Sequence, residues 1–319
     1  MYTKIILDLD TGIDDALAIA YTLGYCAAHP EVELVGITST YGNVDIATSV
    51  RNNLAVTQLF KRSDIKVYAG PPKALGASDF RVLEISSFIH GANGIANMII
   101  PEPHKSGENR DAADFLITSV HTFGDDLVII PTGPLTTIAT AIAKDPTFAH
   151  KAHIVFMGGA LTVPGNVKPW AEANIHQDPE AADRVLREVE DITMVGLDIT
   201  LQTLLTPDDL AIWRELENSR AEFITALAEY YIDAYAEFDP TLGGCGLHDP
   251  LAVAIALNPD LAVYHNMNLM VDTAEPLRGR TTGDTTRLGN HRKNVKVALG
   301  VDVQRFKQLF MHYTTLAAS

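Results

Sequence analysis

Cysteine is nearly missing: 319 residues hold two, Cys26 and Cys245. Two thiols cannot build a disulfide framework, and such sparse usage suits a reducing compartment. Basic charge is also short. Lys plus Arg number 24 against 40 Asp plus Glu, a formal net charge of −16, so most of the surface would repel a phosphate backbone and nucleic acid is excluded as a partner. No stretch approaches the roughly 20 apolar residues of a membrane span. Met1 to Leu7 is too short, and too soon followed by acids, for a signal peptide. A soluble, cytoplasmic protein with no membrane partner is expected. The rest is ordinary globular material, 47% hydrophobic and 20% charged, which rules out wholesale disorder. At this length a fold buries roughly 75% of its unfolded surface without staples.

Short β-branched runs alternate with amphipathic stretches. Lys4–Leu9, Glu33–Ser39, Leu127–Pro131, Ala152–Phe156 and Thr193–Leu197 read as buried strands. Asp14–Ala28, Asp45–Phe60, Leu135–Lys144 and Pro179–Glu188 read as helices following the first four. This alternation means an α/β fold, with a mostly parallel central sheet, helices on both faces and Rossmann-like winding. Leu269–Asp272 and Val295–Leu299 are expected as late strands and Val301–His312 as a closing helix. No repeat or linker divides the chain, so residues 1–319 are read as a single domain. Three interruptions are informative: 70–110, too long for an idle connection; 158–178; and a helical section, Pro207–Asn218 then Arg220–Phe238, leading into the loop 239–248. The first and last of these loops are candidate lids.

Asp8, Asp10, Asp14 and Asp15 place four carboxylates within eight residues at a strand end. Capping of the next helix accounts for one or two of them. The others repel each other at close range unless a cation compensates. Oxygen-only ligands suit a hard ion, Ca²⁺ or Mg²⁺, and Gly12 is expected to permit the tight turn that gathers them.

Asp-x-Asp-x-Gly-x-Asp-Asp after a first strand resembles the opening of the inosine–uridine nucleoside hydrolase family. Further matches follow in order: Tyr41-Gly42-Asn43-Val44, Thr132-Gly133-Pro134-Leu135-Thr136, Gly165-Asn166 with Glu172-Ala173-Asn174, and His248-Asp249. The resemblance implies the nucleoside hydrolase fold and Ca²⁺-dependent cleavage of the N-glycosidic bond of inosine- or uridine-like ribonucleosides. By that match Asp10, Asp15, the carbonyl of Thr132 and Asp249 would hold Ca²⁺. Asp10 would act as general base on a water and His248 as the acid for the departing base, since the bond breaks through an oxocarbenium-like state. Asp14, Asn43 and Asn174 would take the sugar's diol side, and Asn166 and Glu172 its 5′-hydroxyl.

His90 resembles the family position lining the base pocket. Tyr231 and Tyr235 share a helix face at a spacing of four and would close over the base. The resemblance also implies a homodimer or homotetramer. Three departures are notable: Thr11 stands where proline is frequent, which should alter turn stiffness, Ala173 replaces a frequent aromatic, and Thr137 stands where asparagine is common. A haloacid-dehalogenase-like phosphohydrolase, with Asp8 as nucleophile, is the rival enzyme. It expects Thr or Val where Gly12 stands and gives His248-Asp249 no task. An inactive nucleoside-binding protein is the non-enzymatic alternative.

Overall fold

Residues of the first strand, Lys4–Leu9 (β1), alternate between two cores. Ile5, Leu7 and Leu9 pack on one side of the sheet and Ile6 on the other, all fully buried, as the period of two requires. The computed structural model describes residues 2–319. Its main sheet adds Glu33–Ser39 (β2), Val67–Ala69 (β3), Leu127–Pro131 (β4), His153–Met157 (β5), Asp191–Val195 (β6), Ala262–Met267 (β7) and Val295–Val301 (β8). These eight strands run in the order β3-β2-β1-β4-β5-β6-β8-β7. All neighbours are parallel except β7 and β8. Helices cover both faces, so the expected α/β sheet is the observed one.

The strand order turns back at β1. From there the chain builds outward through β2 and β3, then returns to lay β4 on the other side. A crevice therefore opens beyond the carboxyl ends of β1 and β4, where such folds bind ligands. Asp10 and Thr132 each follow those ends directly.

Several expectations need correction. Leu269–Val271 is a strand, but it pairs with Thr281–Gly283 in a separate antiparallel hairpin rather than joining the sheet. The strand expected over Thr193–Leu197 lies at Asp191–Val195, and Leu197 opens a short helix. Pro207–Asn218 is not one helix: Pro207–Leu210 is a 3₁₀ turn, Ala211–Arg214 a single helical turn, and Asn218 caps the next helix, Ser219–Phe238. The closing helix is Val303–Ala318. Residues 70–110 are not all loop, since Glu84–His90 forms a helix. Among the described residues no helix is long and apolar enough to cross a membrane.

Candidate active site

The turn after β1 sets the site. Its unusual backbone falls on Thr11, at φ 43°, a conformation closed to proline, whose ring holds φ near −65°. The Thr11 departure therefore permits a different turn as well as a different stiffness. Gly12 has an ordinary φ of −84°, so the expectation that it supplies the turn is corrected. It is glycine for space: a Cβ there would lie 2.6 Å from Asn43 Nδ2 and 2.7 Å from His90 Nδ1.

Beyond the turn, Ile13–Ala28 is a helix whose first residues carry Asp14 and Asp15. Asp15 takes the capping role, accepting from Gly12 N at 2.6 Å, and also accepts from Thr132 Oγ1 at 2.6 Å. Asp249, some 240 positions away in sequence, does no capping: Leu247 is the N-cap of the helix His248–Leu257. Instead Asp249 converges with Asp14 and Asp15, with one oxygen from each lying within 4.8 Å of the others. Asp10 adjoins this cluster through Asp15. Its Oδ2 accepts from Asn43 N at 2.8 Å and its Oδ1 from Asn43 Nδ2 at 3.0 Å.

Burial first, and the neighbouring acids second, hold the carboxyls of Asp10 and Asp249 well above the usual carboxylate range. Asp15 is pushed up to about 7 by burial and by Asp14. Oδ1 of Asp14 is buried with no hydrogen-bond partner. An all-oxygen cluster with an orphaned acceptor and mutual repulsion fits a hard divalent cation.

Above the cluster is one cavity of about 290 Å³. Every residue expected at the site lines it except Asp10 and Asp15, which are fully buried beside the lining acids. Asp14, Asn43, Thr132, Asn174, Glu172 and Asp249 form the polar part. Asn174 Nδ2 donates to the Thr132 carbonyl at 2.7 Å. Glu172 caps the helix Ala173–Gln177, accepting from Asn174 N, Ile175 N and Gly159 N. Asn166 accepts from Ala173 N at 3.0 Å, which leaves its amide hydrogens free.

The other part of the cavity is apolar and aromatic. Ile85, Ile89, Leu201 and Phe238 line it, none of them singled out from sequence. No local pattern marks them, because three separate segments bring them together. Tyr231 donates to Asp14 Oδ2 at 3.2 Å, and Tyr235 lies 2.6 Å from His248 Nε2. Thr200, also unforeseen, lies 2.7 Å from His248 Nδ1. Nδ1 of His90 accepts from Ile13 N at 3.1 Å, which leaves the ring neutral with its proton on Nε2. Burial lowers the pKa of both His90 and His248. No lysine or arginine is among the lining residues. Asp8, the nucleophile of the rival reading, is buried away from the cavity and accepts from Thr38 Oγ1 at 2.7 Å.

Buried acids facing a histidine–tyrosine pair across one partly open cavity, at the crevice of a parallel sheet, are the arrangement of an α/β-fold enzyme with an acidic site. The chain belongs to the inosine-uridine preferring nucleoside hydrolase family, whose model matches residues 5–308. It is 35% identical over 284 residues to uridine nucleosidase 1 of Arabidopsis thaliana, covering 89% of this chain and 82% of the relative. It is 35% identical over 315 residues to the pyrimidine-specific ribonucleoside hydrolase RihA of Shewanella sp. (strain ANA-3), covering 98% and 96%. The solved purine-preferring ribonucleoside hydrolase from Gardnerella vaginalis superposes with a TM-score of 0.95 at 51% identity, over 99% of both chains.

Proposed function

We propose that this enzyme hydrolyses the N-glycosidic bond of ribonucleosides, inosine- and uridine-like, to ribose and free base, with Ca²⁺ at the acid cluster. The observation that carries the reading is the juxtaposition of Asp14, Asp15 and Asp249 with the Tyr235–His248 pair around one cavity. The relatives named above carry both pyrimidine and purine preferences in their names, so likeness does not choose the base.

Asp10, Asp15, Asp249 and the Thr132 carbonyl would hold the ion, which when bound supplies positive charge that keeps the acids ionised and acidifies a nearby water. Asp10, fixed at both oxygens by Asn43, is the base that takes the water's proton. The remaining carboxylates stabilise positive charge developing on the ribosyl ring. Asp14, Asn43 and Asn174 orient the diol, while Asn166 and Glu172 meet the 5′-hydroxyl. The apolar residues pack the base, with His90 presenting Nε2–H toward it.

His248 serves the leaving group through Tyr235. In the tautomer with the ring proton on Nε2, Nδ1 accepts from Thr200 and Nε2–H donates to the Tyr235 oxygen; the phenolic proton passes to the departing base, and the phenolate left behind stays hydrogen-bonded to His248 Nε2–H until solvent reprotonates it. Burial and nearby acids push the Tyr235 pKa up, so the phenol keeps its proton until the base departs.

One assay tests the reading. The protein is incubated with inosine, uridine and p-nitrophenyl phosphate, and ribose, base and phosphate are followed. Ribose release supports the hydrolase; phosphate release, or tight nucleoside binding without turnover, overturns it.

A further inference from the structure

The Tyr41-Gly42-Asn43 turn and Thr136 stand out in the sequence, yet the chemistry above uses only Asn43. Their other side chains meet at Asp178, fully buried and outside the cavity. Asp178 Oδ2 accepts from Thr136 Oγ1 at 2.7 Å and from Leu75 N at 2.9 Å, and Oδ1 accepts from Ala181 N at 3.0 Å. Thr136 spends its single proton on the carboxylate, so its lone pair accepts from the Tyr41 hydroxyl at 2.8 Å. The order Tyr41→Thr136→Asp178 is thereby fixed in one direction. The Tyr41 ring also packs on Phe80, with centroids 4.6 Å apart.

Three stretches of chain besides its own helix are thus tied to one carboxylate, two directly and the Tyr41 turn through Thr136. Among them are the turn that carries Asn43, and the segment with Leu75 and Phe80 that leads into the His90 helix. Asn43 holds both oxygens of Asp10, and at Gly42 a Cβ would stand 1.8 Å from Asp10 Oδ2. The turn has no slack: any shift of Tyr41 moves the group that sets Asp10.

We infer that Asp178 is a positioning residue for the reaction, acting through Thr136 and Tyr41 to fix the Asn43 turn against Asp10. The inference rests on Asp10 being the base. A purely local role, capping the helix Pro179–Glu188 through Ala181 N, would affect stability alone.

Tyr41→Phe removes one hydroxyl, keeps the ring on Phe80 and leaves that cap untouched. It should lower kcat about ten- to a hundredfold with KM little changed, the size of effect a misplacement of about 1 Å produces. Asp178→Asn should do the same, and the double variant should lose little beyond either single one. Asp178→Ser, which retains the cap, should be no better than Asn. In the Asp10→Asn background Tyr41→Phe should cost nothing more. A Tyr41→Phe enzyme with wild-type kcat, beside an Asp178→Asn protein changed only in Tm, overturns the inference. An Asp10→Asn enzyme at full activity overturns the choice of base instead. Calcium titration calorimetry of Tyr41→Phe gives a readout apart from turnover: weakened binding is expected, because Asp10 is also a proposed ligand, and unchanged affinity together with unchanged kcat refutes the linkage.

Discussion

The Tyr235 hydroxyl lies 2.6 Å from Nε2 of His248, whose other nitrogen lies 2.7 Å from Thr200 Oγ1. Both ring nitrogens are therefore engaged by the protein itself, and in the proposed tautomer, with the ring proton on Nε2, the tyrosine is the member of the chain that passes a proton onward.

Tyr235→Phe and His248→Ala are accordingly expected to act alike. Each should lower kcat for inosine by about 10²–10⁴, the usual range for a lost general acid, and spare a p-nitrophenyl riboside, whose leaving group needs no proton. The readout is the ratio of the two kcat values. If Tyr235→Phe leaves inosine turnover intact while His248→Ala removes it, His248 acts directly and the relay through Tyr235 is wrong.

Asp10→Asn should reduce kcat on both substrates by about 10²–10⁴ while near-native circular dichroism shows the fold preserved. The amide remains isosteric, but its nitrogen faces a donor of Asn43, so a small loss of Tm is expected as well. A loss of only a fewfold in kcat assigns the base elsewhere.

Cation and proton compete for the acid cluster. The Asp15 pKa is raised from 3.8 to about 7 by burial and then by Asp14. A carboxyl raised on folding contributes stability that is complete below its unfolded pKa and lost as pH rises through its folded value. Chelator-treated protein should therefore lose the contribution of these acids between roughly pH 4 and pH 7, and a divalent ion should restore it. His90 and His248, lowered by burial, shift in the opposite sense with or without the ion, so the difference isolates the acids. Calorimetry should show CaCl₂ raising Tm more at about pH 8 than at about pH 6. Equal increments, or none, count against an ion at this cluster.

Nucleoside 5′-monophosphates should be poor substrates. Glu172 is buried at the proposed 5′ position and no lysine or arginine lines the cavity, so a phosphate there meets a carboxylate with no cation to offset the repulsion. The kcat/KM for inosine should exceed that for its 5′-monophosphate by at least about 10³, and Glu172→Gln should narrow the gap. Comparable turnover of both compounds removes the 5′ assignment.

The strands that proved legible are those buried on both faces, such as Lys4–Leu9 and Leu127–Pro131, because continuous apolar runs bounded by turn residues have few other uses. Ala262–Met267 escaped notice for the opposite reason: it is a half-exposed edge strand with polar residues. Leu269–Val271 looks like a sheet strand locally, and only its partner in the hairpin shows otherwise. At the site, the acids from Asp8 to Asp15 were legible because their carboxylates repel one another at close range without a cation, and the remaining site residues because their motifs resemble those of a known family. The apolar wall of Ile85, Ile89, Leu201 and Phe238 was not, since such residues are common everywhere.

By itself the sequence determined the chemistry of the site: which acids, amides and imidazoles the chain carries, and the parallel sheet that would present them at strand ends. Tertiary structure decided which of those groups meet. Only folding brings Asp249 to Asp14 and Asp15, turns Asp8 away from the cavity, and ties Tyr41 through Thr136 to Asp178. Those contacts join residues many tens of positions apart, and period and spacing describe a chain only over the few residues of one helix turn or one strand.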